Sequence, residues 1–194
     1  MKRSVRDGWL RGAVRLPSPN CDARPPGCGV DLIIVHGISL PPGQFGGGCI
    51  HELFLNTLDF NSHPYFQQIK GLRVSSHLLI ERDGKLFQYV PLHLRAWHAG
   101  ESSFRGRARC NDYSVGIELE GTDDLAYTSD QYRVLARVIQ TLRMHYPDIA
   151  GDRIVGHCHV APGRKTDPGA SFRWDRLGQL LGEAPDWNPG ALSA

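Results

Sequence analysis

The sequence predicts an α/β fold in which one central mixed β-sheet, with α+β character, is flanked by helices. Residues 31–36 (DLIIVH) form a short apolar run between turn-forming residues, the pattern of a strand buried on both faces. Residues 74–91 alternate apolar and polar side chains around an Asp-Gly pair, which is typical of a β-hairpin. Residues 128–146 repeat apolar side chains at helical spacing. Strands and helices that alternate around a hairpin indicate a mixed sheet.

Composition and residue spacing predict the remaining elements of the first half of the chain. Residues 1–30 are rich in Pro, Gly, Arg and Asp, which predicts an irregular segment over the surface. The first strand leads into residues 37–48, GISLPPGQFGGG, which contain too much Gly and Pro for regular structure and resemble a functional loop. We expect a helix near residues 49–58.

A second long loop, residues 97–113, precedes the strand SVGIELEG. Val115, Ile117 and Leu119 alternate along this strand with other residues, so Glu118 and Glu120 share a face. This placement makes the two carboxylates candidates for chemistry, although they also fit the solvated face of an edge strand.

The last part of the chain adds two helices and a strand. Thr128 or Ser129 is expected to cap the helix that runs to about Tyr146. Residues 153–163, RIVGHCHVAPG, begin as a strand that breaks at the Pro-Gly pair, and residues 171–183 predict a terminal helix.

Length and charge limit the possible classes of protein. A chain of 194 residues fits one domain, with a tail from about residue 183 to residue 194. The net charge of +2 gives no reason to expect nucleic acid or an anionic membrane as a partner. No apolar run has signal-peptide or membrane-spanning length, so we expect a cytoplasmic protein. The five cysteines form no paired pattern and are predicted to be free thiols.

Histidines at predicted strand ends suggest a metal site. His36 closes the first strand, His157 or His159 lies near the end of a later strand, and Asp167 follows in a short loop. Two histidines and one carboxylate suit a catalytic Zn²⁺ that keeps one position open. Lys165, two residues before Asp167 in an extended segment, can project to the same side. Taken singly, each of these histidines also fits a hydrogen-bonded core residue, and the lysine an ordinary surface residue.

Six motifs occur in an order that identifies a family. They are HGISLPPGQFGGG, LRVSSHLLIERDG, QYVP, RAWHAG, RCNDYSVGIELEGTD and VGHCHVAPGRKTDPG. Together they closely resemble the AmpD-type anhydro-muramyl-L-alanine amidases, which are related to phage lysozyme amidases and to the peptidoglycan recognition proteins. The resemblance runs from about residue 8 to about residue 177.

The resemblance implies an activity and the residues that perform it. It implies that His36, His157 and Asp167 bind zinc, that Glu118 is the catalytic carboxylate and that Lys165 stabilises the anionic centre of the reaction. The implied substrate is an anhydro-muropeptide, cut between the lactyl group and the first L-alanine. This chain departs from the family pattern at two positions: Gly37 stands where an asparagine is expected, and His159 where an aspartate is expected.

Substrate contacts are expected from side chains of the long loops and of the segment before the hairpin. Trp97 and Phe104 offer flat faces for a sugar ring, although Trp97 also fits core packing. Arg73 and Arg109 are candidates for the carboxylates of the stem peptide. His98 fits either a core hydrogen-bonding residue or a wall of the pocket.

Three other functions compete with the amidase hypothesis. A non-catalytic muropeptide-binding module of the same fold would lack part of the ligand set, which this chain retains. A secreted autolysin would need a signal sequence. A nucleic-acid patch at residues 105–110, RGRARC, is short and lies in a chain of balanced charge.

Overall fold

A six-stranded mixed sheet lies at the centre of the computed structural model, which describes residues 4–184 and Trp187. The strands in chain order are β1 (Val5–Arg6), β2 (Trp9–Leu10), β3 (Val14–Arg15), β4 (Cys21–Ala23), β5 (Leu32–Ile38), β6 (Leu78–Ile80), β7 (Leu86–Gln88), β8 (Leu94–Ala96), β9 (Ser103–Phe104), β10 (Arg107–Ala108), β11 (Ser114–Glu120) and β12 (Ile154–Gly156). The helices are α1 (Cys49–Phe54), α2 (Ser129–His145), α3 (His157–Val160) and α4 (Trp174–Leu181), and 3₁₀ turns span Pro64–Ile69, Cys110–Asp112 and Gly151–Arg153. The predicted α/β fold with a central mixed sheet is confirmed.

The strand order of the main sheet is β12-β5-β11-β6-β7-β3. Strands β12, β5, β11 and β6 run parallel to one another, whereas β6 and β7 form the predicted antiparallel hairpin. The longest pairing joins β5 to β11 and sets His36 opposite Glu118. Because parallel strands end at the same edge of a sheet, side chains from several distant segments converge there.

The two faces of the sheet carry different layers. One face, with Val35 and Ile117, packs against Leu135 of α2 and Leu177 of α4 in the main hydrophobic cluster. The other face packs against α1, the Pro64–Ile69 turn and the long loops. Side chains alternate along a strand, so His36 and Glu118 point to this second face, away from α2.

Helix α2 begins at a capping box, as the Thr128 alternative predicts. The Thr128 hydroxyl accepts a hydrogen bond from the Gln131 N–H, and the Gln131 side chain accepts one from the Thr128 N–H. Gln131 is fully buried, and its amide also donates to the carbonyls of Ile80 and Glu120 at the ends of β6 and β11. No helix within the described residues has both the length and the apolar composition needed to cross a membrane.

Three predicted elements need correction. The N-terminal segment is not wholly irregular, because β3 forms an edge of the main sheet and β4 pairs with β8. The helix expected over residues 49–58 ends at Phe54. The strand that contains Gly156 ends there, and the next four residues form a helical turn, so His157 and His159 do not share a strand face.

The terminal helix, expected over residues 171–183, spans Trp174–Leu181 and ends at Gly182, which has a left-handed conformation. Of the predicted tail, the Trp187 indole donates to the Gly151 carbonyl at 3.0 Å. Residues 185, 186 and 188–194 of the tail lie outside the described residues.

We predict that Gln131→Ala lowers the free energy of unfolding by about 2–4 kcal/mol, because it removes one half of the capping box and leaves two buried carbonyls without their donor. Urea denaturation followed by circular dichroism measures the change. Gln140→Ala on the exposed side of α2 is the control and should change stability by less than about 0.5 kcal/mol. Equal effects of the two substitutions would contradict the role assigned to Gln131.

Candidate metal centre

Three ligand-bearing side chains meet at the carboxyl ends of the parallel strands. His36 lies near the end of β5, His157 is the first residue of α3 directly after β12, and Asp167 follows in the next loop. Strand β12 pairs with β5 so that Gly156 lies opposite Val35, which brings the following residue of each strand together. Sheet pairing therefore brings the two histidines together.

The ligand atoms form a triangle of the size that a small divalent cation requires. The Nδ1 atoms of His36 and His157 are 3.0 Å apart, and Asp167 Oδ2 lies 3.3 Å from the first and 3.1 Å from the second. A tetrahedral zinc site with metal–ligand bonds of about 2.0–2.1 Å has ligand atoms about 3.3–3.4 Å apart. Within the described residues, this is the one group of three or more such side chains with a common focus. The residues present therefore fit a zinc ion.

A hydrogen bond from Nε2 fixes the tautomer of His157, so that the nitrogen facing the triangle keeps a free lone pair. His157 Nε2 lies 3.1 Å from the Ala99 carbonyl oxygen, which can only accept, so Nε2 carries the proton and Nδ1 keeps its lone pair. Arg164 donates to the same carbonyl at 2.6 Å and holds it in place. A ligating histidine whose other nitrogen donates to a carbonyl is the usual arrangement at protein metal sites.

The electrostatic environment favours the protonation states that a cation needs. Burial lowers the pKa of His36 to about 4, so its imidazole is neutral at physiological pH. Burial raises the pKa of Asp167, but the neighbouring His157 and His36 lower it more strongly and hold this pKa well below its usual range. Metal ligation requires neutral imidazole and ionised carboxylate, and both are present.

Glu118 lies next to the triangle on the neighbouring strand. Its Oε1 is 4.0 Å from His36 Nδ1, and its Oε2 is buried without a hydrogen-bond partner. Burial, followed by the charge of Asp167, raises the pKa of Glu118 well above its ordinary value. A buried carboxylate with an unused oxygen and a raised pKa is suited to take a proton from a reacting molecule.

A cleft of about 920 Å³ opens over these groups. Lys165, from the same loop as Asp167, lines it with an exposed ammonium group. The lysine charge lowers the pKa of Glu118, acting against the burial of that carboxylate. The cleft therefore holds a ligand triangle, a buried base and a cation.

The structure separates the five predicted substrate contacts into two groups. Arg73, Trp97 and His98 line the cleft. Phe104 does not, because its ring is 4% exposed and packs against Leu32 in a hydrophobic cluster below the sheet. The ring of Phe104, which was predicted to contact a sugar, therefore packs in the hydrophobic core.

Arg109 also lies outside the cleft lining. Its guanidinium is largely exposed and pairs with Asp112 at 3.1 Å, three residues along the chain. Arg109 was predicted to contact the carboxylates of the stem peptide, but it lies directly before the Cys110–Asp112 turn and does not line the cleft.

His159 takes no part in the ligand triangle. Its Nδ1 accepts a hydrogen bond from the Gly156 N–H at 3.0 Å, and its ring packs near Trp174 with centroids 5.7 Å apart. The helical turn of α3 directs its side chain away from that of His157. The aspartate expected at this position is thus replaced by a histidine that caps the same helical turn.

Several other residues of the site had no predicted role. Arg164 acts through the Ala99 carbonyl, and Asn111 accepts hydrogen bonds from the backbone N–H groups of His98 and Ala99. The apolar wall of the cleft is also missing from the sequence prediction; it includes Leu40, Leu53, Tyr65, Ile69, Leu72 and Val74. These contacts join segments far apart in the chain, so no local pattern reveals them.

Comparison with known proteins gives relatives that cover nearly the whole chain. The sequence matches the family N-acetylmuramoyl-L-alanine amidase over residues 26–170. It is 58% identical over 175 residues to the 1,6-anhydro-N-acetylmuramyl-L-alanine amidase AmpD of Citrobacter freundii, covering 90% of this chain and 93% of the relative. The AmpD of Escherichia coli K12 is 56% identical over 177 residues, with 91% and 96% covered.

Solved structures agree with the sequence matches. A crystal structure of a selenomethionine AmpD derivative superposes with a TM-score of 0.89 at 56% identity, covering 91% of this chain and 98% of the other. The E. coli amidase AmiD, solved in complex with anhydro-N-acetylmuramic acid-L-Ala-D-gamma-Glu-L-Lys, has a TM-score of 0.58 at 25% identity, covering 94% of this chain and 66% of AmiD. On these matches the chain belongs to the N-acetylmuramoyl-L-alanine amidase family.

Proposed function

We propose that this chain is a zinc-dependent amidase that hydrolyses the amide bond between the lactyl group of 1,6-anhydro-N-acetylmuramic acid and the first L-alanine of a stem peptide. The observation that carries the proposal is the triangle of His36, His157 and Asp167 beside the buried Glu118. The AmpD relatives and the muropeptide bound by AmiD support the substrate class. The resemblance to AmpD-type enzymes extends the proposal to recycling of wall fragments in the cytoplasm.

In this proposal His36, His157 and Asp167 hold the zinc ion. When bound, the ion supplies a Lewis acid for the scissile carbonyl and lowers the pKa of water. The reaction adds the water oxygen to the carbonyl carbon, breaks the carbon–nitrogen bond and delivers one proton to the departing L-alanine nitrogen.

Glu118 moves that proton. It accepts the proton of the attacking water on its free, buried Oε2 and returns the proton to the leaving nitrogen. Lys165, at the rim of the same cleft, stabilises the negative charge that develops on the carbonyl oxygen. Arg73 is the candidate for a stem-peptide carboxylate, and Trp97 for an apolar face of the sugar, because both line the cleft.

A non-catalytic muropeptide-binding module is the second candidate. A binding module needs the cleft but has no use for a buried carboxylate with an unpartnered oxygen, since such a group costs stability. The complete set of Glu118, Lys165 and the three proposed ligands therefore favours an enzyme. Mass spectrometry of purified anhydro-muropeptides incubated with the protein distinguishes the two: free stem peptide indicates an enzyme, and intact muropeptide retained by the protein indicates a binding module.

We predict that Glu118→Gln lowers kcat by roughly 100-fold or more, because the amide cannot accept the proton. Zinc content should stay unchanged. Glu120→Gln is the matched control from the same strand face: its carboxylate binds the N–H groups of Gly46 and Arg82 instead of facing the ligand triangle. Glu120→Gln should change kcat far less. A larger loss in the Glu120 variant would contradict the roles given to the two residues.

We predict that chelator removes activity but leaves most of the fold. The hydrophobic clusters on both faces of the sheet, and not the ligand triangle, supply most of the stability. Turnover and far-ultraviolet circular dichroism are measured before and after chelation, followed by re-addition of zinc. Loss of the dichroism spectrum together with activity would assign the metal a structural role.

We predict that His157→Ala abolishes zinc retention and hydrolysis, whereas His159→Asp keeps the metal and most activity. The two histidines lie in one helical turn, but only the first faces Asp167. Aspartate in place of His159 can still accept the Gly156 N–H at the helix start. Zinc is measured by atomic absorption, and a zinc-free His159→Asp protein would overturn the ligand assignment.

A further inference from the structure

His98 is the middle member of a chain of three polar side chains that leads away from the ligand triangle. Its Nδ1 lies 2.9 Å from Nε2 of His36, and its Nε2 lies 3.2 Å from the Ser114 hydroxyl. The two imidazoles meet edge to face with centroids 5.0 Å apart. Both nitrogens of His98 are therefore engaged inside the protein, which leaves only ring carbons for the cleft that it lines.

A glycine in the middle of β11 provides the space for this ring. A Cβ atom at position 116 would lie 2.5 Å from both Cγ and Nδ1 of His98, too close for any side chain. Glycine weakens the interior of a strand, since it adds chain entropy to the unfolded state and packs no side chain. The Asn111 side chain holds the backbone of His98 by accepting its N–H at 3.2 Å. The strand and the loop together fix the imidazole against His36.

The hydrogen bond between the two imidazoles has two possible directions. In one, His36 carries its proton on Nε2, donates it to His98 Nδ1, and His98 Nε2–H donates to Ser114. In the other, His98 donates to His36, whose proton then lies on Nδ1 and blocks the lone pair that faces His157 and Asp167. Only the first direction leaves His36 able to bind a cation.

We propose that His98 is a positioning residue that sets the tautomer of His36, accepting the Nε2 proton so that the Nδ1 lone pair faces the metal site. His98 thus does for His36 what the Ala99 carbonyl does for His157, and consecutive residues of one loop orient both ligands. The inference rests on the proposed zinc site, but not on the reaction performed there. It also assigns His98 to the support of the metal centre and not to a polar contact with substrate.

The proposal is tested by comparing the zinc affinity of His98 variants that keep a hydrogen-bond acceptor for His36 with variants that lack one. His98→Phe keeps a ring in the slot beside Gly116 but cannot accept a proton, and should weaken zinc binding by about 10–100-fold. His98→Asn places an amide oxygen near the position of Nδ1 and should bind zinc almost as the unmodified protein does. His145→Phe, at an exposed position of α2, controls for the loss of an imidazole. Zinc dissociation constants are measured by competition with a chromophoric chelator, without substrate.

The nitrogen chemical shifts of the His36 ring in the metal-free protein give a second, direct measurement. The unmodified protein and His98→Asn should carry the His36 proton on Nε2, and His98→Phe should shift it toward Nδ1. His98→Ala replaces the phenylalanine variant if that protein does not fold. An acceptor-free variant with unchanged zinc affinity, or an asparagine variant as weak as the acceptor-free one, would overturn the proposal. Because no substrate is present, failure of the proposed amidase activity leaves this test intact.

Discussion

The parallel pairing of β5 with β11 is the constraint on which the site depends. Its register places His36 beside Glu118, and the pairing of β12 on the other edge of β5 brings His157 to the same end of the sheet. A shift of one residue would turn both side chains toward α2, because neighbouring residues of a strand point to opposite faces. The apolar side chains of the α2 face therefore fix the chemistry of the opposite face, since their burial prevents that shift.

Burying polar groups at this end of the sheet requires a partner for each of them. His157 donates to Ala99, and His36 contacts His98. Glu118 differs from these histidines, because one of its carboxylate oxygens is buried without a hydrogen-bond partner. An unpaired buried carboxylate oxygen is costly, and such strain tends to occur where chemistry needs a reactive group. The unpaired oxygen of Glu118 thus lowers the stability of the fold but suits a proton acceptor, whereas the hydrogen bonds of the histidines both stabilise the fold and orient the ligands.

Local patterns predicted the parts of the fold that local interactions determine. The capping residue Thr128 and the Asp-Gly hairpin were recognisable, because their hydrogen bonds connect residues a few positions apart. The segment after Gly156 was not, because strand β12 is only three residues long and its apolar pattern continues into α3. The N-terminal strands were missed for a related reason: β3 and β4 have two or three residues each and form through pairing with distant β7 and β8.

Prediction of the site divides in the same way. The motifs identified His36, His157, Asp167, Glu118 and Lys165, and all of these side chains line one cleft. Exposure of aromatic side chains was harder to predict: two aromatic residues of the same loop region, Trp97 and Phe104, differ in that one borders the cleft and the other fills the core. The sequence gives no reason to distinguish these two residues, because their exposure depends on the path that the loop follows in the folded chain.

The departure at Gly37 shows how one position links the cleft wall to the ligand triangle. A Cβ atom there would overlap the hydroxyl of Tyr127, and a Cβ on Gly121 would lie 2.5 Å from the same ring. Between these two glycines the tyrosine hydroxyl donates to the Pro168 carbonyl at 2.9 Å, next to Asp167. An asparagine at position 37 therefore requires a different placement of this ring and removes its support of the loop that carries the aspartate. Because a side chain at position 37 points to the same face as Tyr127, opposite to His36, this departure bears on the loop that carries Asp167.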